Sequence, residues 1–304
     1  MPQDNTTIRP IGLGNVLKIL GQYRPAAPTT APVAPPADTY VPVRGTLKNS
    51  RFAGNPGLEA IASGRAVMGP YTNAEALKTV QQALTDMAFL VPLGVSGIYG
   101  GGTVNAIKNF QHFAGLKADG SLGPKTLAAL DRLAPAAGAT SWDRGQDPGP
   151  VPSPDLGYGK QARVVISTSQ HRAFMYDKQG NLTKIYGVRT GREQVDAEGK
   201  VGHATQAGVK VVNGKNNDPT EVSTRLWPES EGRAFGTRLI DLSDYDPATG
   251  ASSKGAYSGQ ELHGTYQDNS IGRDFSHGCI GLRNQDIEEI FDKVRRGDLI
   301  KIED

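Results

Sequence analysis

The sequence predicts a multidomain chain: a small all-α three-helix domain, then a β-rich domain with a C-terminal helix. Three observations predict this. Two Pro-rich stretches, 24–43 and 134–157, divide the chain as extended, semi-rigid spacers. Between them, apolar residues recur at helical spacing, and one pattern of glycine turn followed by helix occurs twice. Beyond them, from Ala162, the pattern changes to short β-type runs. The expected organisation is a tail or docking segment at 1–23, a linker at 24–43, a helical domain at 45–133, a linker at 134–157 and a β-rich domain at 158–304.

Composition narrows the function classes. The 304 residues suffice for about two domains with linkers. A net charge of +2 without a long basic run argues against nucleic acid as a partner. A single cysteine excludes an internal disulfide framework. The apolar run Ile11 to Leu20 is broken by Gly12, Gly14, Asn15 and Lys18, so it reads as neither a secretory signal nor a membrane span. Residues 1–23 read as a disordered tail or as a docking segment for a larger protein assembly.

In the helical domain, Leu58, Ile61 and Ala62 predict a short lead-in helix within 51–70. Ala76, Leu77, Val80, Ala83, Leu84 and Met87 predict the first main helix. The run Gly100 to Ile107 is echoed by Gly123 to Leu130, with Thr103 and Thr126 twenty-three residues apart (126 − 103). Each copy reads as a glycine turn that opens a helix.

In the β-rich domain, Arg163 to Ser167, Ala173 to Tyr176, Lys184 to Val188 and Val209 to Val212 are expected strands, with a hairpin turn at 178–181. Residues 213–234 read as a long polar loop of the lid or binding type, with Trp227 as its anchor or as a stacking surface. Ile287, Ile290, Phe291 and Val294 make one apolar helix face, with Asn284 as N-cap or substrate contact and Gly297 as the stop. Leu299 to Ile302 would return as a last strand.

Chemistry concentrates near the end of this domain. Cys279, the lone cysteine, follows Ser276-His277-Gly278, and a second pair, His263-Gly264, stands sixteen residues upstream (279 − 263). A thiol attacks as thiolate, and a nearby imidazole supplies the base. Consecutive backbone N–H groups at Gly278 and Cys279 can hold an acyl-transfer oxyanion. The competing reading is a buried structural cysteine. Cys279 and His277 without a further CxxC or HxxxH do not make a zinc site, so neither metal nor cofactor is expected.

The run His263-Gly264-Thr265, Ile271-Gly272, Ser276-His277-Gly278-Cys279, then Asn284 and Asp286, resembles the L,D-transpeptidase catalytic domain, also called YkuD-like. Val188 to Gly191, Thr205 to Gly208 and Phe235 to Arg238 extend the resemblance from about 160 to the C-terminus, although Gln206 stands where the family usually has Pro. The resemblance implies Cys279 as acyl acceptor, His263 as general base, the Gly264 carbonyl as orienter of its ring, and His277, Gly278 and Cys279 around the oxyanion. Ser276 and Arg283 are expected at the substrate. The family usually has Arg two places after the cysteine, where this chain has Gly281.

Residues 72–132 are similar to the small helical peptidoglycan-binding domain, on Gly97-Ile98-Tyr99-Gly100, Phe110-Gln111, Gly115-Leu116, Asp119-Gly120 and the repeated threonines. The matching residues are mostly core and turn positions, so they speak for the fold before the ligand. Together the resemblances imply thiol-dependent acyl transfer on peptidoglycan stem peptides at the bacterial cell wall, by transpeptidation or hydrolysis. The alternative is a wall-binding structural component with an inactive catalytic domain. The proline spacer and the expected lack of a signal suggest delivery by a phage or contractile injection particle, or non-standard export.

Overall fold

The computed structural model describes residues 47–89, 94–139, 151–195, 199, 201–253 and 260–304. The expected tail and linker at 1–43, and residues 140–150 of the second linker, lie outside the described residues.

The helical domain carries α1 (Pro56–Ala62), α2 (Ala74–Asp86), α3 (Gly101–Phe113) and α4 (Pro124–Leu133). Local chemistry starts the first two. Asn55 Oδ1 accepts the N–H groups of Gly57 and Leu58, with Pro56 at the first helical position. Asn73 Oδ1 accepts from Glu75 N. Leu58, Ile61, Leu77, Leu84, Ile107, Phe110, Leu127 and Leu130 meet in one core, where each buried side chain contributes about 1.5–3 kcal/mol. The lead-in helix thus joins the three expected ones as a fourth wall.

The sequence repeat has a polar counterpart. Gln81 Nε2 donates to Ile98 O and Thr103 Oγ1, and its Oε1 accepts from Gly97 N. In the second copy, Gln111 Nε2 donates to Ser121 O and Thr126 Oγ1, and its Oε1 accepts from Gly120 N. Both glutamines are buried, so each satisfies the backbone of the turn ahead of its threonine. The repeated threonines therefore serve the fold.

The second domain is built on an eight-stranded mixed sheet in the order β11-β9-β8-β7-β12-β1-β2-β3. These strands are β1 (Ala162–Ser167), β2 (Arg172–Tyr176), β3 (Leu182–Gly187), β7 (Gly208–Asn216), β8 (Leu239–Asp244), β9 (Glu261–Thr265), β11 (Ile280–Arg283) and β12 (Leu299–Glu303). β1 runs parallel to β12 and β9 parallel to β11; the other neighbours are antiparallel. Short β4 (Thr190–Gly191) pairs with β10 (Asp274–Ser276), and β5 (Gln194–Val195) with β6 (Val201–Gly202). Alternation along β1 sends Val164 and Ile166 to one core and Val165 to another. The helix near the C-terminus, labelled α6 (Asn284–Lys293), covers the first core with Ile287 and Ile290.

Two expectations change. The polar loop at 213–234 is partly ordered: β7 runs to Asn216, then α5 (Thr220–Leu226) and a 3-10 turn (Pro228–Ser230) follow. Asp218 starts that helix by accepting from the N–H and hydroxyl of Thr220. Asn284 does not cap α6, since it lies inside the helix and its Oδ1 accepts from Thr237 N at 3.1 Å.

The described residues belong to one compact unit, and the helical and β-rich parts share buried contacts within it. Arg172, fully buried on β2, donates to Met87 O at 2.9 Å and lies 4.3–4.6 Å from the ring centroids of Phe89, Phe113 and Phe174. Burial lowers its pKa to about 9, which leaves it cationic at neutral pH. Asn109 of α3 donates to Gly272 O at 2.9 Å and bonds His171 Nδ1 through its Oδ1 at 3.1 Å. His171 Nε2 in turn meets Asp274 Oδ1 at 3.2 Å. No helix among the described residues is long and apolar enough to cross a membrane.

Candidate active site

Strand alternation assembles the site. Leu262, Ile280 and Leu282 point into the core under α6. Their neighbours Glu261, His263, Cys279 and Gly281 therefore turn toward the opposite face. The parallel register sets Ile280 beside Leu262 and Gly281 beside His263. Cys279 accordingly stands level with Glu261, and its Sγ lies 3.9 Å from Glu261 Oε2.

The Ser276–Cys279 loop is held from within. Ser276 Oγ donates to Cys279 O at 2.5 Å and accepts from Gly278 N at 3.3 Å. Ser276, expected at the substrate, thus commits its hydroxyl to the turn. Gly278 has φ +134°, in the region where a side chain is strained. A second clamp comes from Thr205, whose Oγ1 donates to Gly278 O at 2.9 Å and accepts from Gly191 N at 2.7 Å. That contact needs glycine at 191: a Cβ there would lie 2.3 Å from His203 O and 2.5 Å from Gly278 Cα.

His263 is buried, and its Nδ1 lies 2.5 Å from Gly264 O. A carbonyl only accepts, so Nδ1 carries the proton and Nε2 keeps its lone pair. Burial first, then the Arg189 charge, lower its pKa to about 3, so the ring is neutral at pH 7. The Phe235 ring packs edge-on against it, 5.0 Å between centroids. His277 faces Trp227 instead, 4.6 Å between ring centroids. The loop expected to act as a lid therefore touches the Ser276–Cys279 loop through its tryptophan.

Cys279 is half-buried. Burial and the Glu261 carboxylate push its thiol up to about 12, while the Glu261 backbone N–H and the Arg189 charge act the other way. Arg283, the other expected substrate residue, pairs in register with Thr265 two places beyond Gly281. Glu261, Arg189 and Thr205 stand against Cys279, Gly281 and Gly278, where the sequence reading did not place them. For Glu261 a signal existed: in a strand, the residue two places before His263 shares its face.

Residues 161–302 match the family described as the L,D-transpeptidase catalytic domain. The β-rich domain belongs to the L,D-transpeptidase family. Residues 73–130 match the family described as "Putative peptidoglycan binding domain", so this transpeptidase domain follows a helical domain of that type. Over 143 residues the chain is 29% identical to "Probable L,D-transpeptidase YbiS" of Escherichia coli K12, covering 46% of this chain and 44% of the relative. It is 30% identical over 149 residues to "Probable L,D-transpeptidase YcfS" of the same strain, covering 46% and 43%. The chain thus spans less than half the length of these relatives. Among solved structures, an L,D-transpeptidase from Xylanimonas cellulosilytica is 21% identical, covering 74% of this chain and 92% of that one, with a TM-score of 0.42.

Proposed function

We propose that the chain is a cysteine-dependent acyltransferase acting on peptidoglycan stem peptides. The observation that carries this is the shared face of Cys279 and His263 in a transpeptidase-family domain, with His263 neutral and its Nε2 lone pair retained. In the proposed cycle, His263 Nε2 takes the Cys279 proton as the sulfur attacks the carbonyl of the bond between an L-centre and D-Ala. The oxyanion is held by the Cys279 N–H, by His277 and by the Gly278 N–H, which it shares with Ser276 Oγ. Collapse breaks the C–N bond, and the D-Ala amine leaves with the proton from His263. The thioester then passes to an amine, forming a new amide, or to water, forming an acid. Ser276 and Thr205 keep the loop in shape, and Arg283 contacts the substrate.

The test is D-Ala release from a purified stem tetrapeptide. Cys279→Ala is expected to abolish release while retaining the wild-type melting temperature. Release near the wild-type rate in that variant would refute thiol catalysis. The departure at Gly281 favours a second reading, a wall-binding component with an inactive transpeptidase domain. Wild-type protein that fails to release D-Ala yet sediments with sacculi would select it.

The helical domain is proposed to hold the protein on peptidoglycan, supported by its family match over 73–130. Residues 1–43 are proposed as a docking arm to a larger assembly, such as a phage or injection particle, on the composition of their Pro-rich half. Deleting them is expected to leave turnover of soluble peptide unchanged and to remove the native protein's attachment to such an assembly.

A further inference from the structure

Arg189 is a buried cation in an unusual setting. Its backbone is pinned to β11, with N–H to Gly281 O at 2.8 Å and Gly281 N–H to its own carbonyl at 3.0 Å. Its side chain then lies across the space that a side chain at 281 would fill: a Cβ on Gly281 would be 2.3 Å from Arg189 Nε and 2.7 Å from its Cγ. Nη1 donates to Gln267 Oε1 at 3.2 Å and Ser270 Oγ at 3.1 Å. Both acceptors are neutral. Nε is buried without a hydrogen-bond partner among the described residues.

A buried guanidinium ordinarily meets a carboxylate, because the desolvated charge is otherwise costly. Among the described residues, the ionisable groups that favour this charge are the Cys279 thiol, first, and then the Tyr266 phenol. Arg189 remains cationic at neutral pH, with its pKa lowered to about 10 by burial. It also makes protonation of His263 less favourable. Other groups around the thiol are Glu261 on β9, which opposes the thiolate, and His277 on the loop itself.

We propose that Arg189 is the counter-charge of the Cys279 thiolate, laid over Gly281 to hold negative charge on the sulfur once the thiol proton has left. The assignment rests on Cys279 as the nucleophile. It makes the glycine at 281 part of the site, since only an absent side chain admits the guanidinium. It also gives the guanidinium, which otherwise meets two neutral acceptors and the Phe275 ring at 5.9 Å, an anionic partner: that anion is made during the reaction.

The test is the rate constant of Cys279 alkylation by iodoacetamide at pH 8, where Arg189 is cationic, measured on full-length protein without substrate, beside single-turnover acylation by a stem tetrapeptide. Arg189→Met is expected to lower that rate constant about tenfold or more, the loss of thiolate that one pH unit represents. Arg189→Lys should lie between Met and wild type, and Glu261→Gln should raise the rate. A merely structural arginine would lower the melting temperature and leave the alkylation rate in place, which would overturn the proposal. If Arg189→Met is not recovered folded, Gly281→Ala decides in the same assay. Its Cβ displaces the guanidinium without removing the charge, so the rate should fall, and an unchanged rate would overturn the assignment. Alkylation needs no substrate, so it reads Arg189 even if wild-type protein releases no D-Ala and the acyltransferase reading fails.

Discussion

At the scale of single residues, the site combines a neutral histidine with a thiol held between opposite charges. His263 makes acid stability diagnostic. Its folded pKa of about 3 lies below the ordinary 6.5, so the unfolded chain takes up the proton first as pH falls. The stability it contributes is complete above 6.5 and drains toward pH 3, with a limiting slope of about 1.4 kcal/mol per pH unit for one proton. Asp286, raised to about 6 by burial, contributes with the opposite sign in any variant that retains it. His263→Gln should therefore lose less stability than wild type between pH 7 and pH 4 in urea titrations, about these shared background terms. An equal loss in both proteins would show that the ring is not held neutral by the fold. Cys279 and His263 were legible in the sequence because glycine-flanked histidines beside a lone thiol are chemically distinctive. Arg189 was not, because its role depends on an empty position ninety-two residues away (281 − 189).

At the scale of elements, helices were the most legible parts. Every residue on the predicted apolar stripe of α2 is buried. The strands β8 and β9, which carry one wall of the site, were not read at all. β9 is Glu-Leu-His-Gly-Thr, poor in β-branched and aromatic residues, and its strand character comes from pairing on both sides. The strand β4 is two residues long, yet Gly191 within it seats the nucleophile loop. Gly191→Ala is predicted to separate Thr205 from Gly278 and to cut acylation at least tenfold, with a smaller effect on melting temperature. Wild-type acylation in Gly191→Ala would mean that the loop keeps its shape without this clamp. On β2, Arg172→Ala should destabilise by about 3 kcal/mol or more, since it removes a side chain packed among three aromatic rings. Arg172→Met, which keeps most of that volume, should cost less, because it removes a buried charge together with its desolvation. Chemical denaturation of both variants checks the order.

At the scale of the whole molecule, the sequence announced two domains but not their union. Nothing in the spacing of Asn109 or Arg172 marks them as contacts across domains; each stands in an element that reads as self-sufficient. In the structure, the Asn109 amide reaches the chain seven residues before the nucleophile, at Gly272, and through His171 reaches Asp274. Asn109→Ala is thus predicted to slow acylation of a soluble peptide that never touches the helical domain. Measuring that rate beside sedimentation with sacculi separates the two roles, and unchanged acylation would confine Asn109 to packing. The same amide has a bearing on how such proteins can be assembled from parts. A helical module joined only by a linker could be exchanged for any other wall-seeking module without retuning its neighbour. Here a replacement would have to present a carboxamide at one position of one helix and a backbone carbonyl where Met87 now offers one. Portability has been given up, and the two modules are obliged to vary as a pair.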